Sequence, residues 1–379
     1  MSSSDQVYNR LITTLQAIVP VSNRKQLVNW VRIAVTICQA KSLALSQIAL
    51  FLPGEAKAES RIMRLRRWLS NRHIDVWALY RPVVQQVLTG FAGGAVQLVL
   101  DGTMVFGDRW QIFRLSLIHK NRALRLVWTI VPGKGLTDVA SLQAMLHQAA
   151  DWLNPQVGSV TLLADRGFRD HQWAQLCQTL GWRYVIRLPV STWIQLPNGW
   201  AGRINQLPIP VGHRRFYPQV TLTKHAALTT ALSIGWKHST PKQPAEWLAV
   251  ISDQPAGPAR LRAYGVRMHI EQSFKDDKSG GFDLAHTRLW DPQRLDRLLL
   301  AVALATLWMH ELGEYVLRGG RKRRQHIDAG SRRELSIFQL GLRWLKRYMA
   351  YQPDRIPPFR ARISTNKIKT IVKPKPLSG

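Results

Sequence analysis

Val96-Gln97-Leu98-Val99-Leu100, followed at once by Asp101, is the stretch on which the fold turns. VQLVL is nearly continuous in apolar residues, the pattern of a strand covered on both faces. A second run of this kind, Ser159–Ala164 (SVTLLA), also stops on a carboxylate, Asp165. Between them, 111–119 and 123–131 alternate or run apolar and prolong a sheet. Residues 141–153 place Leu142, Met145, Leu146, Ala149 and Leu153 on one helical side. A helix at 171–180 and a strand at 184–188 follow. Three strands and then alternating helix and strand predict an α/β fold, a mixed sheet with flanking helices. Ligands collect beyond the C-terminal strand edge of such sheets, where the pattern puts Asp101 and Asp165. An aspartate there is also a common turn former, and the two readings stand side by side at this point.

Outward from the sheet, residues 1–90 read as helical. Residues 26–40 carry Leu27, Trp30, Val31, Ala34 and Val35 at helical spacing, a short helix at 46–52 stops at Pro53-Gly54, and another runs over 57–69. In that last helix Lys57, Ser60, Arg64, Arg67 and Asn71 lie opposite the apolar face of Ile62, Leu65 and Leu69. Helix, turn and basic helix are similar to a helix-turn-helix that enters a major groove, with Arg64 and Arg67 facing DNA; a surface helix with a basic polar face reads equally well. Five segments follow: a helical DNA-binding domain at 1–90, the first part of the core at 91–189, a β-rich, Pro- and Trp-containing insertion at 190–254, a second part of the core at 255–317, and a basic, mainly helical C-terminal region at 318–379. The apolar run 298–309 is too short to span a bilayer and reads as a buried helix.

The chain has 379 residues with 53 Lys and Arg against 23 Asp and Glu, a formal charge of +30. Such an excess opposes compaction unless a polyanion is a normal partner, and nucleic acid fits better than a membrane. A hydrophobic content of 46% excludes wholesale disorder. Cys38 and Cys177 both sit in apolar helical stretches, which excludes a disulfide framework and suits a reducing compartment. The start of the chain has no signal-peptide pattern. The expected location is the cytoplasm.

The chemistry comes from a third segment. Tyr264, Arg267, Glu271, Lys275 and Lys278 fall within an arc of about 80° on a helix, with one carboxylate among a phenol and cations. As a solvated helix this would gain only about 0.3–0.5 kcal/mol per i,i+4 pair, which accounts for neither the tyrosine nor the surplus cations. A carboxylate committed to a metal, beside cations that face phosphate, accounts for both. Two Mg²⁺ ions about 3.5–4 Å apart can activate a nucleophile and stabilise a leaving alkoxide in phosphodiester attack. Three carboxylates, Asp101, Asp165 and Glu271, suffice as their protein ligands.

The spacing Tyr264-x₂-Arg267-x₃-Glu271-x₆-Lys278 resembles the Y-x₂-R-x₃-E-x₆-K signature of the insertion-sequence-four group of bacterial DDE transposases. Asp101-Gly102-Thr103 and Asp165-Arg166-Gly167-Phe168 are similar to that group's first and second aspartate segments. The resemblance implies an RNase H-like catalytic core with a β-rich insertion, catalytic Asp101, Asp165 and Glu271, and two Mg²⁺ ions for which Mn²⁺ can substitute. It implies double-stranded DNA as partner, both transposon terminal inverted repeats and target, bound by a homodimer. Tyr264, Arg267 and Lys278 would then hold the cleaved end, with Lys275 on the same face. Relatives that cut through a hairpin stack a flipped base on an insertion tryptophan; Trp236 is the candidate, ahead of Trp193 and Trp200, and core packing of these rings is the competing reading.

Other chemistries lack their residues. His310-Glu311 has no second histidine of a zinc-protease helix, and neither a phosphate-binding G-x-x-x-x-G-K-[ST] loop nor G-x-S-x-G occurs. Two alternatives to a transposase remain at this point: an RNase H-like nuclease or resolvase without strand transfer, and a domesticated, non-catalytic DNA-binding protein.

Overall fold

In the computed structural model the described residues are 3–20, 23–223, 228–237, 246–277, 281–284 and 287–363. Lys278 lies outside them. Five helices come first: α1 (Ser3–Ile18), α2 (Arg24–Ala40), α3 (Leu45–Phe51), α4 (Ala58–Leu69) and α5 (Val76–Leu88). Strands β1 (Ala95–Val105), β2 (Trp110–His119) and β3 (Arg122–Pro132) precede α6 (Val139–Leu153), β4 (Ser159–Ala164), α7 (His171–Thr179) and β5 (Arg183–Leu188). Then come β6 (Trp193–Gln195), β7 (Ala201–Arg203), β8 (Arg215–Leu222), β9 (Leu228–Lys237) and β10 (Glu246–Ser252). The chain continues through α8 (Pro258–Gly265), α9 (His269–Asp277), α10 (Pro292–Arg318), α11 (Gly320–Gln325) and α12 (Ile337–Met349). Asp75, Asp138, Asp170 and Asp291 are spent as N-caps, each accepting a backbone N–H of the helix it opens.

Contacts divide the chain into two units, Ala92–Ser273 and Met1–Phe91 with Phe274–Gly379. The first holds a ten-stranded sheet in the order β3-β2-β1-β4-β5-β10-β9-β8-β6-β7. β1 is antiparallel to β2 and parallel to β4, and β4 is parallel to β5. Leu98, Val99, Leu100, Leu162, Leu163 and Ala164 are wholly buried, as near-continuous apolar strands require. The strands of the 190–254 segment prolong this same sheet: β10 pairs with β5, Ile251 opposite Ile186. Where the pattern ends the first strand at Leu100, β1 continues to Val105, because β2 goes on pairing with it after β4 has stopped.

The second unit is helical. The 27-residue α10 contains the buried 298–309 run, and Trp30 of α2 donates its indole N–H to the Leu300 carbonyl at 3.1 Å. α10 crosses α12 closely through two glycines. A Cβ on Gly313 would lie 2.0 Å from the Ile337 carbonyl oxygen, and one on Gly341 would lie 1.9 Å from that of Met309. No single helix among the described residues is long and apolar enough to cross a membrane.

Candidate active site

The parallel ladder ends with Leu100 opposite Ala164, so Asp101 and Asp165 are the next residues on neighbouring strands. Asp165 Oδ1 accepts the Gly167 backbone N–H at 2.8 Å and caps the 3-10 turn Arg166–Phe168. A Cβ on Gly167 would stand 2.9 Å from that oxygen, so glycine leaves the carboxylate its place. Phe168 is buried edge-on to Phe113 and Trp173, with ring centres 6.0 and 5.3 Å away, and pins the turn to the sheet.

Asp101 is more enclosed. Its Oδ1 accepts the Gly102 N–H at 2.8 Å, and its Oδ2 accepts from Arg267 Nη1 at 2.6 Å. A Cβ on Gly102 would meet Gln111 Nε2 at 2.5 Å and the Phe113 ring at 2.8 Å. Burial pushes the Asp101 carboxyl above the usual carboxylate range; Arg267 opposes this and the negative charge of Asp165 adds to it.

Arg267 joins the aspartates to the signature segment. The single regular helix read from the sequence is interrupted. Tyr264 lies in α8, Arg267 in a 3-10 turn at Val266–Met268, and Glu271 and Lys275 in α9. Gly265 and β-branched Val266, both weak helix formers, stand at the tightening. Tyr264, Arg267 and Glu271 still meet on one side. The guanidinium carbon lies 5.9 Å from the Tyr264 ring centre, and Nη2 donates to Glu271 Oε1 at 3.2 Å. α9 is seated by the Ser273 hydroxyl, which accepts the Ala123 N–H at 3.0 Å and donates to the His269 carbonyl at 3.2 Å, and by fully buried Ile270.

The Arg267 side chain is 12% exposed, Asp101 18% and Glu271 44%. Burial works against the guanidinium charge, but Tyr264, Asp101, Asp165 and Glu271 together raise its pKa above the ordinary value. Burial also pushes the Tyr264 phenol up, against the pull of Arg267 and Arg187.

Asp101 and Asp165 line a cavity of about 610 Å³ with Gln111, Arg166 and Arg169; Glu271 is not part of its lining. Among the described residues, no three His, Cys, Asp or Glu side chains form a group that could hold one metal ion. The donor chemistry of the aspartate pair fits a divalent cation. It offers hard carboxylate oxygens on adjacent strands, with a mutual repulsion that a cation would relieve. In this structure Glu271 is held to Arg267 instead.

The remaining predicted residues are more scattered. Lys275 is exposed on α9. Trp236 is half-buried on β9 and packs on its cross-strand partner Trp247, ring centres 5.0 Å apart. Four strand spacings separate β9 from β1, about 19 Å at roughly 4.8 Å each. Arg64 turns back to donate to the Pro53 carbonyl at 3.3 Å, whereas Arg67 is exposed. Sequence reasoning passed over Arg187, which is paired with Glu246 and acts electrostatically on Tyr264. A lone cation inside the apolar strand YVIRL was its only signal.

A family model described as Transposase DDE domain matches residues 107–308, which include Asp165 and the Tyr264–Glu271 segment and begin just after Asp101. Among solved structures, the chain is similar to a piggyBac transposase in a synaptic complex with hairpin DNA, determined by cryo-EM. The two are 13% identical with a TM-score of 0.46, over 93% of this chain and 79% of that one. No curated protein matches the sequence.

Proposed function

The chain belongs to the transposase DDE domain family, and from that premise we propose that it is an insertion-sequence transposase of the insertion-sequence-four group. It binds the terminal inverted repeats of its element as a homodimer and acts at the bacterial nucleoid. It catalyses cleavage at the ends and strand transfer into target DNA, by cut-and-paste through a hairpin. The observation that carries this reading is the reach of Arg267, which binds Asp101 and Glu271 at once beside Asp165. Two carboxylates far apart in sequence thereby share one cation, and the charge of Asp165 acts on it as well. The strand order β3-β2-β1-β4-β5, antiparallel on one side of β1 and parallel on the other, supports an RNase H-like core.

Asp101 and Asp165 would hold a divalent cation, with Glu271 completing the set; a pair of Mg²⁺ or Mn²⁺ ions, when bound, supplies activation of the attacking oxygen and neutralisation of the leaving one. The chain's own groups position the DNA. Arg267 is a buried fork suited to a phosphate of the scissile strand, and Tyr264 stiffens it by lying against its guanidinium. Water attacks the scissile phosphorus and the bond to the 3′ oxygen breaks, leaving a 5′-phosphate. The freed 3′-OH then attacks a phosphorus of the opposite strand or of the target, and the 3′ oxygen bonded to that phosphorus leaves.

Asp101→Asn, Asp165→Asn and Glu271→Gln should each abolish cleavage of end DNA in Mg²⁺ while end binding stays within about threefold, since phosphate contacts dominate affinity. Near-normal turnover of any one variant removes that residue from the site. Hairpinned ends on a denaturing gel and joined target products separate this reading from a nuclease that only cuts.

A further inference from the structure

A second basic cavity, of about 770 Å³, lies in the helical unit among α3, α4 and the segment that leads into α10. Arg66, Arg288 and Arg294 line it together with Thr287, and no carboxylate does. Asp291 accepts the Arg294 backbone N–H at 2.8 Å, and Glu59 stands 4.0 Å from Arg66, with the Arg66 and Glu59 side chains more than half exposed. Thr287 is 4% exposed, and its hydroxyl has no hydrogen-bond partner among the described residues. Three guanidiniums and an unsatisfied hydroxyl around one hollow form a donor-rich surface without a carboxylate, whose matching ligand is a tetrahedral oxyanion.

We propose that this cavity is a phosphate site for the DNA backbone, an anchor that fixes the register of α4 on the duplex. The proposal rests on the DNA-binding reading above and adds a contact remote in sequence from the carboxylate segments. Two observations favour a nucleic-acid phosphate over a small free anion. Arg66 sits on α4, the helix that also carries exposed Arg67 of the candidate groove-facing stripe, so Arg67 and the cavity's Arg66 belong to one helix. Trp290, immediately beyond the cavity-lining Leu289, is 52% exposed. It follows the cavity-lining residues in the chain and is an exposed aromatic residue, which a nucleotide can use and a bare phosphate cannot. Phosphate contacts of this kind position a protein without reading sequence.

The test uses the full chain, a random-sequence duplex, and binding measured over a salt series. Arg288→Ala/Arg294→Ala should bind about tenfold more weakly at low salt, with the log–log salt slope reduced by about 1–2, near 0.9 per lost phosphate contact. Arg288→Lys/Arg294→Lys should recover the slope but not the full affinity, because the fork is lost while the charge is kept; this pair also covers the case in which the alanine variant does not fold. Thr287→Val should weaken binding with the slope unchanged. A folded alanine variant that matches wild type in both affinity and slope overturns the proposal while leaving the DNA-binding reading intact. Wild-type protein without salt-dependent duplex binding overturns that reading itself. Inorganic phosphate compared with chloride at equal ionic strength provides the last arm. If phosphate raises the melting temperature of wild type but not of the alanine variant, and their DNA slopes agree, the cavity takes a free anion and the backbone assignment fails.

Discussion

Arg267 is the residue whose removal separates electrostatics from architecture. It is nearly buried, and its two terminal nitrogens go to different carboxylates, Asp101 at 2.6 Å and Glu271 at 3.2 Å. Lysine is a point charge and cannot span both. Without the guanidinium, the Asp101 carboxylate is left enclosed beside Asp165 with only the Gly102 N–H. Removing one partner of a buried ion pair costs about 3–5 kcal/mol, and somewhat less where the remaining carboxyl can take up a proton. Arg267→Ala should therefore lower the urea midpoint of the protein. Its binding to end DNA should weaken, with the salt slope reduced by about 1. Arg267→Lys should restore the slope but only part of the stability. An unchanged slope in the alanine variant would mean that Arg267 does not face phosphate, whatever happens to the melt.

At the scale of elements, the apolar runs were legible because burial on both faces writes itself locally. The residues 96–100, 159–164 and 298–309 all lie inside buried strands or a buried helix. Pairing partners are not local, so nothing in the pattern shows that β10 closes onto β5 some sixty residues earlier, or that β2 carries β1 past Asp101. The carboxylate segments were legible as motifs, and Asp165-Arg166-Gly167-Phe168 explains itself as cap, glycine and buried ring. The 3-10 turn at Val266–Met268 was not, since a helical wheel assumes one period throughout. The end of α10 shows the same limit. Glu311 looked like half of a metal motif, yet its Oε1 accepts the Arg360 backbone N–H at 2.9 Å and ties the 357–363 segment to the helix. Burial pushes this carboxyl from 4.5 up to about 8, helped by Glu314 and opposed by the Arg360 and Arg362 backbone N–H groups and the Arg360 charge. The folded state thus holds the proton more tightly than the unfolded one. Its contribution is complete below about pH 4.5 and is lost as pH rises toward about 8. The melting temperature of wild type should fall across this window, by about 2–4 °C for each kcal/mol lost. Glu311→Gln, neutral at every pH, should flatten that fall, and parallel curves for the two proteins would show that Glu311 is ionised in the fold.

For the whole molecule the governing quantity is the charge of +30, which no internal pairing can cancel with 23 acids against 53 cations. A polyanion that releases counterions on binding turns this self-repulsion into affinity, and it does so without regard to sequence. The charge is unevenly placed: 318–379 holds 17 Lys and Arg and 3 Asp and Glu. Within it, 364–379 adds Lys367, Lys369, Lys373 and Lys375 with no acid. Ile356, Phe359 and Ile363 are each 2% exposed, and Trp344 donates its indole N–H to the Arg355 carbonyl at 3.0 Å. A truncation meant to test charge alone must therefore fall after Ile363. The chain ending there should keep its melting temperature and its cleavage rate at saturating end DNA. Its affinity for random duplex at low salt should drop several-fold, with the salt slope lowered by up to about 3–4, one unit for each lysine that meets a phosphate. Equal loss on end DNA and random DNA identifies the segment as a general electrostatic contributor, because counterion release carries no sequence information. A loss confined to end DNA would place specific recognition there instead, and an unchanged slope would make these four lysines bystanders to binding.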